Sequence, residues 1–258
     1  MSEATASSAP TALYVYGVVP AGTKPALGRP GLQLITQDGL TALVGTVSLD
    51  EFGEEPLHRN LNDREWLERK AREHEAVLDD VLRSTTVIPF RIATLYGAEE
   101  NLREFLRGRE SKLVELLERF KSKVELGVKA YLDRERAPAD GPTDPEVGSG
   151  QAYLLRRQAE QIAARDADAF AIECAQASHE RLTATAVDAR SNRPQPSELS
   201  GRSEQMLLNG AYLVVREDTV LKGAVQELAE RYGARGVMYE ITGPWPPYNF
   251  VPPNLADA

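Results

Sequence analysis

The chain is short of the residues that most protein chemistry needs. Its 258 residues include one cysteine, Cys174, and three histidines. A single cysteine forms no internal disulfide. With no Cys or His at ligand spacing, it reads as a small core filler in a reducing, cytosolic compartment. Long apolar runs are also missing, since nothing approaches the roughly 18 apolar residues of a membrane span. Residues 1–12 have neither the basic start nor the apolar core of a secretory signal and read as a disordered leader. Positive charge is in deficit, with 30 Lys and Arg against 39 Asp and Glu and a net charge of −9. That balance repels polyphosphate, and no basic stripe offsets it, so nucleic-acid binding is disfavoured.

Catalytic signatures are absent as well. There is no glycine-rich phosphate loop, no CxxC pair and no GxSxG elbow. His74-Glu75 and His179-Glu180 begin like a zinc-protease motif, but Leu78 and Thr183 stand where its second histidine belongs. Adjacent carboxylates such as Asp79-Asp80 point apart on a helix and read as solvated faces. No cofactor or metal is expected.

The most distinctive stretch lies near the end: Gly243-Pro244-Trp245-Pro246-Pro247-Tyr248-Asn249-Phe250-Val251. The alternation of Val237, Tyr239 and Ile241 predicts a strand over 236–242 that stops at Gly243. Three prolines then fix φ near −65° and remove donors, which predicts an extended, polyproline-like segment. Trp245, Tyr248 and Phe250 are too apolar to leave in water, so the segment is expected to dock on its own protein and brace its domains.

From the start of the chain, Leu13 to Val19 is rich in β-formers, and Leu32–Thr36 with Leu40–Val47 flanks an Asp-Gly turn, a hairpin. Residues 48–62 read as irregular, with Asn62 or Asp63 capping a helix. Trp66, Leu67, Ala71, Val77, Leu78, Val81 and Leu82 recur at spacings of three and four, an amphipathic helix over 64–83 that carries His74 on its apolar face. That histidine reads as a partly buried side chain with one fixed hydrogen bond to a partner close by. Thr85 to Tyr96 is extended but holds Pro89, which predicts a kinked or edge strand. Arg91 within it suits an anion or a pairing with a carboxylate or carbonyl. A second amphipathic helix follows over 98–119, weakened at Gly108.

Residues 122–132 alternate as a strand, and 134–150 is a Pro/Gly-rich mobile loop. A long helix over 152–187 allows a break near 165–168, with His179 at the surface. Strands at 187–193 and 205–216, a helix ending at Gly233 and the strand at 236–242 complete the order. Strand, helix, strand, strand, helix, strand is the ferredoxin-like βαββαβ order. The fold class is therefore α+β in two domains: an N-terminal α+β domain over 13–120, a ferredoxin-like domain over 121–242, and a Pro/aromatic tail over 243–258.

The opening LYVYGVV, the helix with Trp66 and His74 leading into VIPFRIATLY, and above all the ending ITGPWPPYNFV resemble the gas vesicle GvpF/GvpL family, over Leu13 to Val251. One departure is visible. Where that family has Phe-Gly after the arginine, this chain has Ile92-Ala93, so a turn needing positive φ would be compromised. The resemblance implies a non-enzymatic accessory or minor structural protein of the gas vesicle and cytoplasm. It would bind the hydrophobic shell subunit GvpA and assist nucleation and assembly alongside other gas vesicle proteins. The candidate interaction residues are Trp66, His74, Pro89, Arg91 and the segment Gly243, Pro244, Trp245, Pro246, Pro247, Tyr248 and Phe250.

Two other readings make different demands. A small-molecule enzyme built on His74 and Arg91 in an interdomain cleft requires His74 in an open pocket. An RNA-binding ferredoxin-like module requires exposed aromatics on its central strands and a basic surface.

Overall fold

A computed structural model of the protein describes residues 10–23, 31–134, 150–196, 202–217 and 219–256. Among these residues the architecture is mixed α/β, with two sheets and seven α-helices. The chain forms two compact units, Met1–Val124 with Trp245–Ala258, and Glu125–Pro244. It therefore enters the second unit within one strand and returns to the first at the end of another.

In the first unit, β1 (Thr11–Pro20) pairs antiparallel with β3 (Leu40–Ser48), which pairs antiparallel with β2 (Leu32–Gln37). The hairpin between β2 and β3 turns at Asp38, whose φ is 51°. β1 starts at Thr11, inside the stretch expected to be leader, while residues 1–9 lie outside the described residues.

Residues 48–62, expected to be irregular, are helical instead. Ser48 caps α1 (Leu49–Phe52) by accepting from the Asp50 N–H, and Gly53 separates it from α2 (Glu54–Asn60). Elements of four and seven residues are too short to show a period. α3 (Arg64–Leu82) begins at Asp63, whose carboxylate accepts from the Glu65 and Trp66 N–H groups.

The proline-interrupted stretch forms two short strands, β4 (Ile88–Pro89) and β5 (Leu95–Tyr96), both paired with β1 at the margin of the sheet. α4 (Glu99–Phe120) then runs unbroken through Gly108. Tyr14 and its cross-strand partner Leu95 share a hydrophobic cluster with Trp66 of α3. Tyr96, the next residue, packs edge-on against Phe105 of α4, with centroids 5.7 Å apart. Neighbouring strand residues point to opposite faces, so α3 and α4 cover the two sides of this sheet.

In the second unit the sheet order is β7-β8-β6-β9, from β6 (Lys123–Leu132), β7 (Asp188–Ser191), β8 (Gln205–Val215) and β9 (Val237–Trp245). α5 (Gly150–Thr183) is one continuous helix of 34 residues, without the break allowed for near 165–168. The expected mobile loop falls almost wholly at 135–149, outside the described residues. α6 (Val220–Tyr232) lies beside α5, where Phe170 meets Tyr232 with centroids 6.1 Å apart and Arg181 pairs with Glu227 at 2.7 Å.

α6 ends at Tyr232 with Gly233 as its C-cap, as expected, and a 3-10 turn over Gly233–Arg235 follows, with Gly236 at the left-handed φ of 82°. One boundary differs from the sequence reading: β9 does not stop at Gly243 but continues to Trp245, with Gly243 at φ 104° and a cis Gly243–Pro244 bond. β9 is an edge strand, the position in a sheet where a proline is tolerated. The last helix is α7 (Pro253–Ala256).

Candidate functional site

His74 sits on the inward face of α3, only 3% exposed. Its Nε2 lies 3.1 Å from the Phe90 carbonyl oxygen, and its Nδ1 lies 2.9 Å from the Tyr14 hydroxyl. A carbonyl only accepts, so Nε2 carries the proton and Nδ1 accepts from Tyr14. The Tyr14 oxygen in turn accepts from the Ala93 N–H at 3.1 Å. Burial holds His74 down to about 4, opposed by the Phe90 carbonyl, so the ring is neutral. Burial likewise pushes the Tyr14 phenol above its ordinary value, opposed by the Ala93 N–H.

This network fixes a turn. Phe90 donates its N–H to the Tyr16 carbonyl and Val15 donates to the Thr94 carbonyl, so the chain leaves β1 only between those two bonds. At the same level β1 carries a register shift between Val15 and Gly17. Thr94 closes the turn by donating its N–H and its hydroxyl to the Arg91 carbonyl, at 3.2 and 2.7 Å. Ala93 has φ 62°, the left-handed backbone that glycine adopts without cost. The turn expected to need a glycine thus forms with alanine in its place.

The partners of His74 are not close by in sequence, as its helix position had suggested, but 60 and 16 residues away. Pro89 is the partner of Gly17 at the sheet margin. Arg91 is exposed. Trp66 packs on Phe52, with centroids 5.5 Å apart, and donates its indole N–H to Glu51 at 2.7 Å, while Lys70 pairs with the same carboxylate at 3.2 Å.

The C-terminal segment belongs to the same unit. Pro246, Pro247, Phe250, Val251 and Leu255 are buried, and Trp245 and Tyr248 are half-buried. The segment is not extended throughout, because Tyr248–Phe250 forms a 3-10 turn in which Phe250 donates to the Pro247 carbonyl at 3.1 Å. Tyr248 Oη and Glu75 Oε2 are buried without hydrogen-bond partners. The two groups couple electrostatically but miss hydrogen-bond geometry. Burial raises the Glu75 carboxyl, with Tyr248 pulling it back and Asp79 adding to the rise. Burial, then the Glu75 charge, raises the Tyr248 phenol.

The second unit holds polar pairs that sequence reading missed. His179, expected at the surface, is half-buried with Nδ1 2.9 Å from the Tyr212 hydroxyl. Ser178 lies 2.6 Å from the Tyr239 hydroxyl beside the buried Cys174, whose thiol is pushed up by burial. These partners are 33 and 61 residues apart, beyond any local signal. Among the described residues no group of three or more His, Cys, Asp or Glu side chains is arranged to hold a metal ion. None of their helices is long and apolar enough to cross a membrane.

The site is thus a closed hydrogen-bonded brace beside a docked tail. The family described as gas vesicle synthesis protein GvpL/GvpF matches residues 12–252. The chain is 34% identical to gas vesicle protein L of Streptomyces, over 92% of this chain and 91% of that one. It is 24% identical to gas vesicle protein F1 of Halobacterium salinarum, over 93% and 92%. Its fold is similar to the crystal structures of GvpF from Anabaena, with TM-score 0.67, 16% identity and 96% and 97% of the two chains covered, and of GvpF from Microcystis aeruginosa, with TM-score 0.63, 18% identity and 93% and 98% covered. The chain belongs to the gas vesicle GvpL/GvpF family.

Proposed function

We propose that the protein is a non-enzymatic accessory or minor structural component of gas vesicles, located in the cytoplasm and at the vesicle, that binds the small hydrophobic shell subunit of the GvpA type and assists nucleation and assembly. The observation that carries this reading is the family match along nearly the entire chain, from residue 12 to 252. A subunit that lines a gas space exposes apolar surface before assembly, and a partner with sheet edges and aromatic grooves is suited to shield it. We also read the second unit as a ferredoxin-like domain, on the strength of its β7-β8-β6-β9 order.

The enzyme reading has less in its favour. Both ring nitrogens of His74 are committed to internal partners and its side chain is closed off from solvent, where a general base needs access to a substrate proton.

Co-expression with a tagged GvpA-type subunit tests the proposal. The full chain is expected to co-purify with the subunit and keep it soluble. A shell subunit that is recovered equally, and without this protein bound, would remove the basis for the reading.

A further inference from the structure

Among the described residues, only the C-terminal part of α5 carries buried side chains. Phe170, Ala171, Cys174, Ser178 and Leu182 bury its C-terminal part, whereas no described side chain from Tyr153 to Ala169 is buried. At about 1.5 Å per residue, that is some 25 Å of helix with no buried side chain among the described residues. A helix of that length is marginal in water by itself. Its local support is modest: Arg156 pairs with Glu160 at 3.1 Å, and Arg134 holds Asp168 at 2.6 Å.

The free length is not polar all round. Leu154, Ile162 and Ile172 are 61%, 59% and 60% exposed. At about 100° per residue these three fall within about 80° around the axis, with Ala169 among them, while Phe170, Cys174 and Ser178 lie on the other side. α5 thus carries an outward apolar stripe opposite its core-facing one.

We propose that this stripe is where two copies of the chain pair, their α5 helices antiparallel about a two-fold axis near Ala163. The apolar positions of the stripe are self-complementary under that operation. Leu154 and Ile172 are equidistant from Ala163, so each Leu154 meets Ile172 of the second copy, and the two Ile162 side chains meet beside the axis. On one flank Arg157 comes opposite Asp168 of the second copy, twice over by symmetry. A parallel pair would instead set Arg157 against Arg157 and Asp168 against Asp168.

The net charge of −9 opposes self-association in general, but this segment is neutral: Arg156, Arg157 and Arg165 balance Glu160, Asp166 and Asp168. Two helix faces of this length bury on the order of 1,000 Å² in total, at the low end for specific contacts, and Gln158 and Arg165 dilute the stripe. The dimer is therefore weak and reversible. It does not depend on the function proposed above.

Sedimentation equilibrium of the full chain from about 1 to about 200 µM tests the pairing over the range where a contact of this size associates. The expected result is a concentration-dependent rise from 28.4 kDa toward twice that mass. Ile162→Asp, at an exposed position that folding does not require, is expected to weaken association by at least about tenfold. In a second experiment Ile162→Cys should form a disulfide-linked dimer under mild oxidation, and Glu160→Cys, on the other side of the helix, should not. A wild-type chain that stays monomeric throughout overturns the proposal, as does a dimer that Ile162→Asp leaves intact or equal cross-linking at both cysteines. So does a monomer whose stripe is shielded only on addition of a shell subunit.

Discussion

At the scale of single residues, Ala93 and His74 carry the strain and the order of the first unit. Alanine at φ 62° costs roughly 1 to 2 kcal/mol relative to right-handed backbone, and it is held there by its N–H bond to Tyr14 and by the Thr94 bonds that close the turn. Replacing it with glycine removes the strain and gives back some unfolded-chain entropy. Ala93→Gly is therefore expected to stabilise by about 0.5 kcal/mol, whereas Ala93→Val destabilises by about 1 to 2 kcal/mol. Urea denaturation checks both, and a destabilised glycine variant would contradict the left-handed assignment.

His74 makes a pH prediction. Its folded-state value of about 4 lies below the ordinary 6.5, so the unfolded chain binds the extra proton between those limits. The contribution is fully present above pH 6.5 and is lost as pH falls toward 4. At about 1.4 kcal/mol per unit this is roughly 3 kcal/mol. Glu75 and Asp79, both raised by burial, act with the opposite sign and lose stability as pH rises. The comparison that isolates His74 is with His74→Gln, which should be less stable at pH 7 yet show a flatter decline between pH 6.5 and 4. Parallel curves for the two proteins would mean that His74 does not titrate in this window.

At the scale of elements, the sequence was legible wherever one period ran long enough. The amphipathic pattern over 98–119 marks α4, which buries Leu102, Phe105, Leu106, Leu113, Leu116, Leu117 and Phe120. α1 and α2 fell below the length at which a period shows. β9 is expected to stop at Gly243, yet it runs on to Trp245, because at a sheet edge the proline that follows need not remove a ladder bond. His179 was placed at the surface by its polar neighbours because nothing local marks Tyr212, 33 residues on, as its partner. The tail was recognised as a docking segment from its composition, but its 3-10 turn over Tyr248–Phe250 was not.

Gly108 offers a test at this scale. It lies in the exposed middle of α4, and a Cβ there would meet nothing within 4 Å. Gly108→Ala should therefore raise the midpoint of thermal unfolding, by an amount equivalent to about 0.5 to 1 kcal/mol. No gain would mean that α4 bends or frays at that glycine in solution.

At the scale of the whole molecule, the path of the chain decides what the tail does. The first unit is assembled from both ends of the sequence, Met1–Val124 and Trp245–Ala258, and the second from one continuous piece between them. The tail contributes Phe250, Val251 and Leu255 to the buried interior, at 3%, 8% and 4% exposure. Burying a large apolar side chain is worth about 1.5 to 3 kcal/mol, so the three together bring several kcal/mol, a large share of the 5 to 15 kcal/mol typical of a domain. Tyr248 adds little through its oxygen, which lacks a hydrogen-bond partner. A chain ending after Pro244 should therefore lose stability unevenly. In hydrogen exchange the amides of β1 and α3 are expected to lose protection, while those of β8 and α6, whose unit remains covalently complete, keep theirs. Uniform loss across both units would show that they unfold as a single cooperative body, and unchanged protection in β1 and α3 would show that the tail is not part of the first unit's core.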